Sequence, residues 1–471
     1  MGFGIELTTL AEVIAATAVI GTAPPQLQVR QIVTDTRLLQ PGQVFLALVG
    51  DRFDGHKFLT VARERGAIAA IVSRVPESRV PESLVSEDAG DLPLLLVSDT
   101  LAAYQAIARW WRQQFPHPVV AVTGSVGKTT TKELIAAVLG TQGAVLKTQA
   151  NFNNEIGVPK TLLELDPDRH QFAVIEMGMR AAGEIALLTQ IAQPTIGVIT
   201  NVGTAHIGRL GSEQAIAQAK CELLQAMPSG GTAILNYDNA RLMATAAQVW
   251  EGETLVYGLT GGDVQGTLLD ATTLVVDEMS FALPLPGAHN ALNFLAALAV
   301  ARAAGVDWGA IAQQSVSVQL PQGRAQRLDL PGDVVILDET YNAGLESMLA
   351  ALRLLADTPA TRRIAVLGTM KELGDRAPDF HHQVGVSVRQ MGIDHLLVLA
   401  DPAERDALLA GAAPLSATAF VDQASLVERL LVLVQPGDRL LFKASRSVEL
   451  DQAVQQFSQR FSQRYGTVPQ V

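Results

Sequence analysis

Short, wholly apolar runs recur through the middle of the chain, each closing on a small or polar residue: Val119–Thr123, Val145–Thr148, Phe172–Glu176, Ile196–Thr200 and Ala233–Asn236. Runs of this length read as strands buried on both faces. Between them lie stretches with helical spacing, such as Thr131–Leu139, which stops at Gly140. This alternation predicts a mostly parallel sheet with helices on both sides. The pattern returns in Val334–Asp338, Arg363–Leu367, Leu396–Leu399 and Arg439–Lys443, which predicts a second, smaller, Rossmann-like sheet. The first part is mixed α/β. Val44–Leu48 and Ala67–Val72 read as strands, a helix is expected near Leu101–Phe115, and Ser78–Asp91 reads as a surface loop. Asn293 and Arg302 interrupt the apolar run Ala291–Val306, which predicts a buried helix and no membrane span.

Two breaks, Phe115-Pro116-His117-Pro118 and Leu320-Pro321-Gln322-Gly323, favour linkers over continued helix. With 471 residues, they predict three α/β domains: 1–115, 116–320 and 321–471. A formal charge of −12 argues against nucleic acid and anionic membranes as partners, while leaving room for a local basic pocket. The single Cys221 cannot form an intrachain disulfide, which fits a reducing, cytoplasmic setting. The apolar patch Val13–Ile20 has Glu12 at its edge and no basic flank, so it does not read as a signal peptide.

The strongest chemical signal is Thr123-Gly124-Ser125-Val126-Gly127-Lys128-Thr129-Thr130, between an expected strand and an expected helix. That layout is a phosphate-binding loop. Backbone N–H groups from Gly124 to Thr130 and the helix N-terminus face phosphates, Lys128 adds a charge, and the Thr129 hydroxyl suits Mg²⁺. Glycine comes two residues later than the usual first position of such loops, at Gly124 in place of Val122. Glu176 closes a strand of the same sheet, and His206 follows another in Asn201-Val202-Gly203-Thr204-Ala205-His206. Both are expected at the carboxyl edge, where ligands of open α/β sheets bind, and Glu176 is placed to bind a metal carried by a nucleotide. Lys220, taken alone, reads as a surface helix lysine. Asn290, Arg324, Asp338 and Tyr341 stand at domain joints or strand ends. Asp35, Thr36, Arg37 and His56 read as turn residues, of which Arg37 and His56 could meet a phosphate or sugar.

In this order, the motifs resemble those of the Mur ligases of peptidoglycan synthesis over nearly the whole chain. TDTR, FDGH, TGSVGKTTTKE, ANFNNEIGVP, IEMG, TNVGTAH, AKCE, GAHN, GR, DETYNA, GTMKELG and KASRS carry the likeness. NFNNEIG and MKELG favour the members that add D-alanyl-D-alanine to a UDP-linked muramoyl tripeptide. Members that add the third peptide residue, folylpolyglutamate synthases, and a nucleotide-binding scaffold without turnover are the alternatives. Gly344-Leu345 and Ala444 depart from the family's pattern. The resemblance implies an ATP-dependent amide ligase that works as a monomer through an acyl phosphate. It implies a UDP-substrate domain, a central ATPase domain and a C-terminal ligase domain. Lys128 and Thr129 would hold ATP and Mg²⁺, and Glu176 and His206 would complete the metal environment. Lys220 would be carbamylated by CO₂ and serve a second Mg²⁺. Asn290, Arg324, Asp338 and Tyr341 would grip the nucleotide. Asp35, Thr36, Arg37 and His56 would form part of the uridine end, and Asn153 and Asn154 the substrate channel. It also implies that the C-terminal domain swings about Pro321-Gln322-Gly323.

Overall fold

A computed structural model describes residues 2–22, 24, 26–75, 92–314 and 316–465; the loop expected at 78–91 lies outside these. Three α/β units follow one another. The first holds a five-stranded sheet in the order Ala18–Ile20, Leu94–Leu96, Ala69–Val72, Val44–Leu46, Ile32–Val33, parallel except for its first pair. Helix Thr100–Gln113 closes this unit and also packs on helices Gly157–Leu162 and Glu184–Ala192 of the next. Asp99 caps it by accepting from Leu101 N and Ala102 N. Near its other end, the Arg112 guanidinium donates to the carbonyls of Ala192 and Gln193, at 2.9 Å each.

The central sheet has nine strands where five were expected. Val145–Lys147, Phe172–Glu176, Val119–Thr123, Ile196–Ile199 and Thr232–Asn236 match the apolar runs to within a residue. Glu253–Gly258 and Val264–Leu268 continue the parallel order, and Thr273–Val276 with Met279–Ala282 adds an antiparallel hairpin. These four escaped the apolar-run criterion because they are half-buried. Along Val264–Thr267, buried and exposed residues alternate, the period-two signature of a one-sided strand. Helix Lys128–Leu139 packs against helix Ala288–Ala303, the element expected from Ala291–Val306. Strand Val119–Thr123 pairs in parallel with Phe172–Glu176 on one side and Ile196–Ile199 on the other. The strand order therefore reverses beside the phosphate loop, where open sheets form a ligand crevice.

The C-terminal sheet has six strands: Gln326–Leu330, Val334–Asp338, Arg439–Lys443, Arg363–Gly368, His395–Leu399 and Ala417–Ala419, in that spatial order. Only the first pairs antiparallel. It and Ala417–Ala419 are edge strands the sequence reading missed. Among the described residues no helix is long and apolar enough to cross a membrane.

Candidate active site

A cavity of about 830 Å³ opens between the carboxyl edge of the central sheet and the C-terminal unit. Its walls include Ser125–Thr130, Asn153, Asn154, Glu176, His206, Lys220, Asn290, Arg324 and Tyr341, residues scattered over more than two hundred positions. The phosphate loop is braced from the neighbouring strand end. Ser125 N donates to Asn201 O at 3.0 Å, Val126 N to Asn201 Oδ1 at 3.0 Å, and Thr200 Oγ1 to Val126 O at 2.7 Å. Gly124 has φ +152° and lies so close to the Thr200 hydroxyl that a Cβ there would overlap it. Gly127, with φ +82°, starts the helix that carries Lys128 and Thr129.

Lys128 Nζ donates to Gly124 O at 2.8 Å and Ser125 O at 3.4 Å, so its ammonium lies against its own loop. Burial lowers its pKa, opposed by nearby Glu176 and reinforced by Arg324. Glu176 is buried. Its Oε1 accepts from Asn153 Nδ2 at 2.8 Å, while its Oε2 has no hydrogen-bond partner and stands 3.9 Å from Lys132 Nζ. A buried carboxylate oxygen without a hydrogen bond costs free energy that the Lys132 charge offsets only in part, and a hard cation is a further partner its chemistry suits. Among the described residues no three His, Cys, Asp or Glu side chains cluster as a self-sufficient metal cage.

Lys220 is not a surface lysine. It lies on helix Glu213–Ala226, about 1% exposed, on the face that lines the cavity, whereas helical spacing alone put it in solvent. Burial, then the like charge of Lys128, drives its pKa well down, and among the described residues no carboxylate pairs with it. Its amine is therefore disposed to be neutral. Asn290 is buried and donates from Nδ2 to Pro286 O at 2.9 Å; Asn293 joins it to the phosphate-loop helix by accepting from Thr131 Oγ1 at 3.1 Å.

From the C-terminal unit, the Arg324 guanidinium stacks 3.8 Å from the centre of the Tyr341 ring, and its Nε is buried without a partner. Asp338 faces the turn and not the cavity. Its Oδ1 accepts from Thr340 N at 3.0 Å and Thr340 Oγ1 at 2.6 Å, and the adjoining Glu339 is the one that lines the wall. Asp35, Thr36, Arg37 and His56 lie in the first unit and do not line this cavity. Arg37 is bidentate to Asp35, which holds that carboxyl at about 2. His56 is locked between Asp54 Oδ1 at 2.8 Å and Ser73 N, which donates to its Nε2 at 3.0 Å.

Residues missed from the sequence tie the units together. His206 Nδ1 lies 2.6 Å from Glu372 Oε2, a charge contact outside hydrogen-bond geometry, and Arg209 3.4 Å from Glu372 Oε1. Thr204 donates from N and Oγ1 to Glu346 at 2.7 and 3.2 Å. Glu372 belongs to MKELG, which signalled kinship but no contact; Glu346 carried no signal in the sequence. Whether the units stand open or closed was not legible either, and here they touch.

Three family models match in tandem: "Mur ligase family, catalytic domain" over 28–110, "Mur ligase middle domain" over 122–301, and "Mur ligase, glutamate ligase domain" over 323–446. A UDP-N-acetylmuramoyl-tripeptide–D-alanyl-D-alanine ligase of Synechocystis sp. is 57% identical over 430 residues, covering 91% of this chain and 92% of that one. The chain belongs to the Mur ligase family. Its three-domain α/β fold also matches a solved MurF from Acinetobacter baumannii, with TM-score 0.86, 32% identity, and coverage of 97% and 99% of the two chains. MurF ligase from Thermotoga maritima, solved in complex with ADP, aligns with TM-score 0.80 and 29% identity over 93% of this ligase and 99% of that chain.

Proposed function

We propose that this ligase joins D-alanyl-D-alanine to UDP-N-acetylmuramoyl-tripeptide at the expense of ATP, in cytoplasmic synthesis of the peptidoglycan precursor. The reading rests above all on the 57% identity, over 91% of the chain, to the Synechocystis enzyme of that name. The phosphate loop supplies the chemistry such a ligation needs. A free carboxylate is a poor acyl donor, so the tripeptide's terminal carboxylate attacks the γ-phosphorus of ATP, ADP leaves, and an acyl phosphate results. The dipeptide's amine then attacks the acyl carbon, phosphate departs, and the amine nitrogen loses a proton.

Two anions meet in the first step. Lys128 offsets their repulsion from the head of the loop, with the backbone N–H groups of Gly124–Thr130 around the phosphates. Thr129, Glu176 and His206 are the groups that would hold Mg²⁺, and bound Mg²⁺ supplies charge neutralisation at the phosphoryl oxygens. The Oε2 of Glu176, which accepts no hydrogen bond, supports this. Lys220, buried and short of a counter-charge, suits carbamylation: its neutral amine bonds to CO₂ and sheds a proton, which leaves carboxylate-like oxygens for a second Mg²⁺. Asn290 and the stacked Arg324–Tyr341 pair hold the nucleoside and its phosphates, and Asp338 contributes by fixing the Thr340 turn beneath them. Asn153 and Asn154 line the channel for the peptide. Asp35, Thr36, Arg37 and His56 serve the uridine end. Residues 1–115 thus bind the UDP substrate, 116–320 bind ATP, and 321–471 close the site as a monomer, keeping water from the acyl phosphate.

The test is a matrix of UDP-muramoyl peptides against D-alanyl-D-alanine and single amino acids, read as ADP release. Turnover is expected with tripeptide plus D-alanyl-D-alanine. Turnover with a UDP-dipeptide and one amino acid, or with a folate, would transfer the chain to another branch, and ADP release in no combination would leave a scaffold.

A further inference from the structure

One loop joins a histidine outside the cavity to His206 within it. His381, on helix Ala377–Gln390, is fully buried. Its Nδ1 lies 2.6 Å from the Ala377 carbonyl oxygen, and its Nε2 2.9 Å from the backbone nitrogen of Met370. A carbonyl can only accept and an amide N–H can only donate. Both contacts hold together only in the neutral tautomer with its proton on Nδ1. Met370 opens the segment Met370-Lys371-Glu372-Leu373-Gly374, which is fastened also by Lys371 N donating to Ser445 Oγ at 2.9 Å, by the Lys371 ammonium on the Asp401 carboxylate, and by the buried side chains of Met370 and Leu373.

The far end of this segment is the contact with the ATP-binding unit. Glu372 takes a left-handed backbone, φ +65°, and its carboxylate meets His206 and Arg209. Its carbonyl accepts from Gly208 N at 3.1 Å. Gly208 and Gly374 touch backbone to backbone: a Cβ at Gly208 would lie 2.5 Å from Gly374 N. A joint without side chains between its backbones tolerates little displacement, so what fixes the loop also fixes the backbone at Gly208, two residues beyond His206, and keeps the Glu372 carboxylate beside the His206 ring.

We propose that His381 is a positioning residue for ligation, which sets the Met370–Gly374 loop and through it the contact of Glu372 with His206 and Gly208. The kinetic part rests on the ligase reading above; the structural part does not. Two variants separate the ring's two bonds. His381→Asn keeps a short donor toward Ala377 but cannot reach Met370, whereas His381→Gln brings a side-chain carbonyl to the position of Nε2. Hydrogen exchange of the full-length, ligand-free chain is expected to quicken in H381N both at 369–374 and, across the interface, at 206–211, while H381Q stays near wild type. Faster exchange at 369–374 with 206–211 unchanged would overturn the relay whatever the substrates are. In turnover, H381N should lose about 10- to 100-fold in kcat, with KM for ATP changed less than about twofold and most of the loss recovered in H381Q. Glu372→Ala should lose as much, and the H381N/E372A double variant no more than the worse single one. Additive losses, or no recovery in H381Q, would refute action through Glu372.

Discussion

Replacing Lys128 with methionine removes one charge while keeping the bulk of the side chain. The ammonium now rests on two carbonyls of its own loop, 2.8 and 3.4 Å away, and an arriving triphosphate offers it phosphate oxygens instead. A unit charge about 4 Å from a developing negative charge is worth about 4 kcal/mol at an effective dielectric constant of about 20. At about 1.4 kcal/mol per decade, that is roughly a thousandfold in rate. Loss of a single donor to a transition-state oxyanion costs a similar ~10²–10³-fold. We therefore expect kcat at saturating ATP to fall by about 10²–10³-fold. Stability should not follow. The variant forfeits two hydrogen bonds, but it also escapes the cost of burying an ammonium, the dominant influence lowering this lysine's pKa. ADP release and thermal unfolding on the same preparation test both halves. A kcat within tenfold of wild type would remove Lys128 from the phosphoryl step, and lost activity with a clearly lowered midpoint would make it a strut of the loop.

Glu176→Gln keeps an acceptor for Asn153 and loses the charge at Oε2, so the Mg²⁺ activation curve should move to at least about tenfold higher concentration while UDP-substrate affinity holds; an unmoved curve would make Glu176 a structural carboxylate. Burial lowers the Lys220 pKa below that of the unfolded chain, so below 10.5 protonation favours the unfolded chain and the residue costs stability at neutral pH. Lys220→Met should thus raise the unfolding midpoint in bicarbonate-free buffer yet abolish ligation, and wild type should carry extra mass of CO₂ on Lys220 in bicarbonate; a lowered midpoint would contradict a neutral buried amine. His289, on the cavity wall, is held at about 4 by burial and by the charge of Lys443. Below 6.5 the unfolded chain binds a proton there that the folded chain refuses, so stability falls as pH drops from 6.5 to about 4, by about 3 kcal/mol from this residue. His289→Gln should flatten that decline by up to one proton in the slope of unfolding free energy against pH, and an unchanged slope would show that His289 titrates normally.

The amino-acid sequence by itself determined the alternation of buried strands and helices and the strand–loop–helix layout of the phosphate loop. Each is written in contiguous residues: an apolar run must bury itself wherever it lies, and Gly-Lys-Thr-Thr at a helix start carries its own backbone geometry. The same locality put Glu176 at a strand end and made the edge strands Gln326–Leu330 and Ala417–Ala419 hard to see, since half-buried strands lack the apolar run. Only the tertiary structure decided the protonation tendencies and the pairings. Lys220 has the local signature of a solvated helix lysine, and its lowered pKa comes from burial and then from the charge of Lys128, both brought about by folding. Glu372 and His206 lie far apart in sequence and meet because two separately folded sheets present their carboxyl edges to one cleft. Asp338 shows the converse: its place at a strand end suggested a ligand contact, and the neighbouring Thr340 took up its carboxylate. Electrostatic free energies depend on distance through space, and the order of residues along a chain does not contain that distance until the chain has folded.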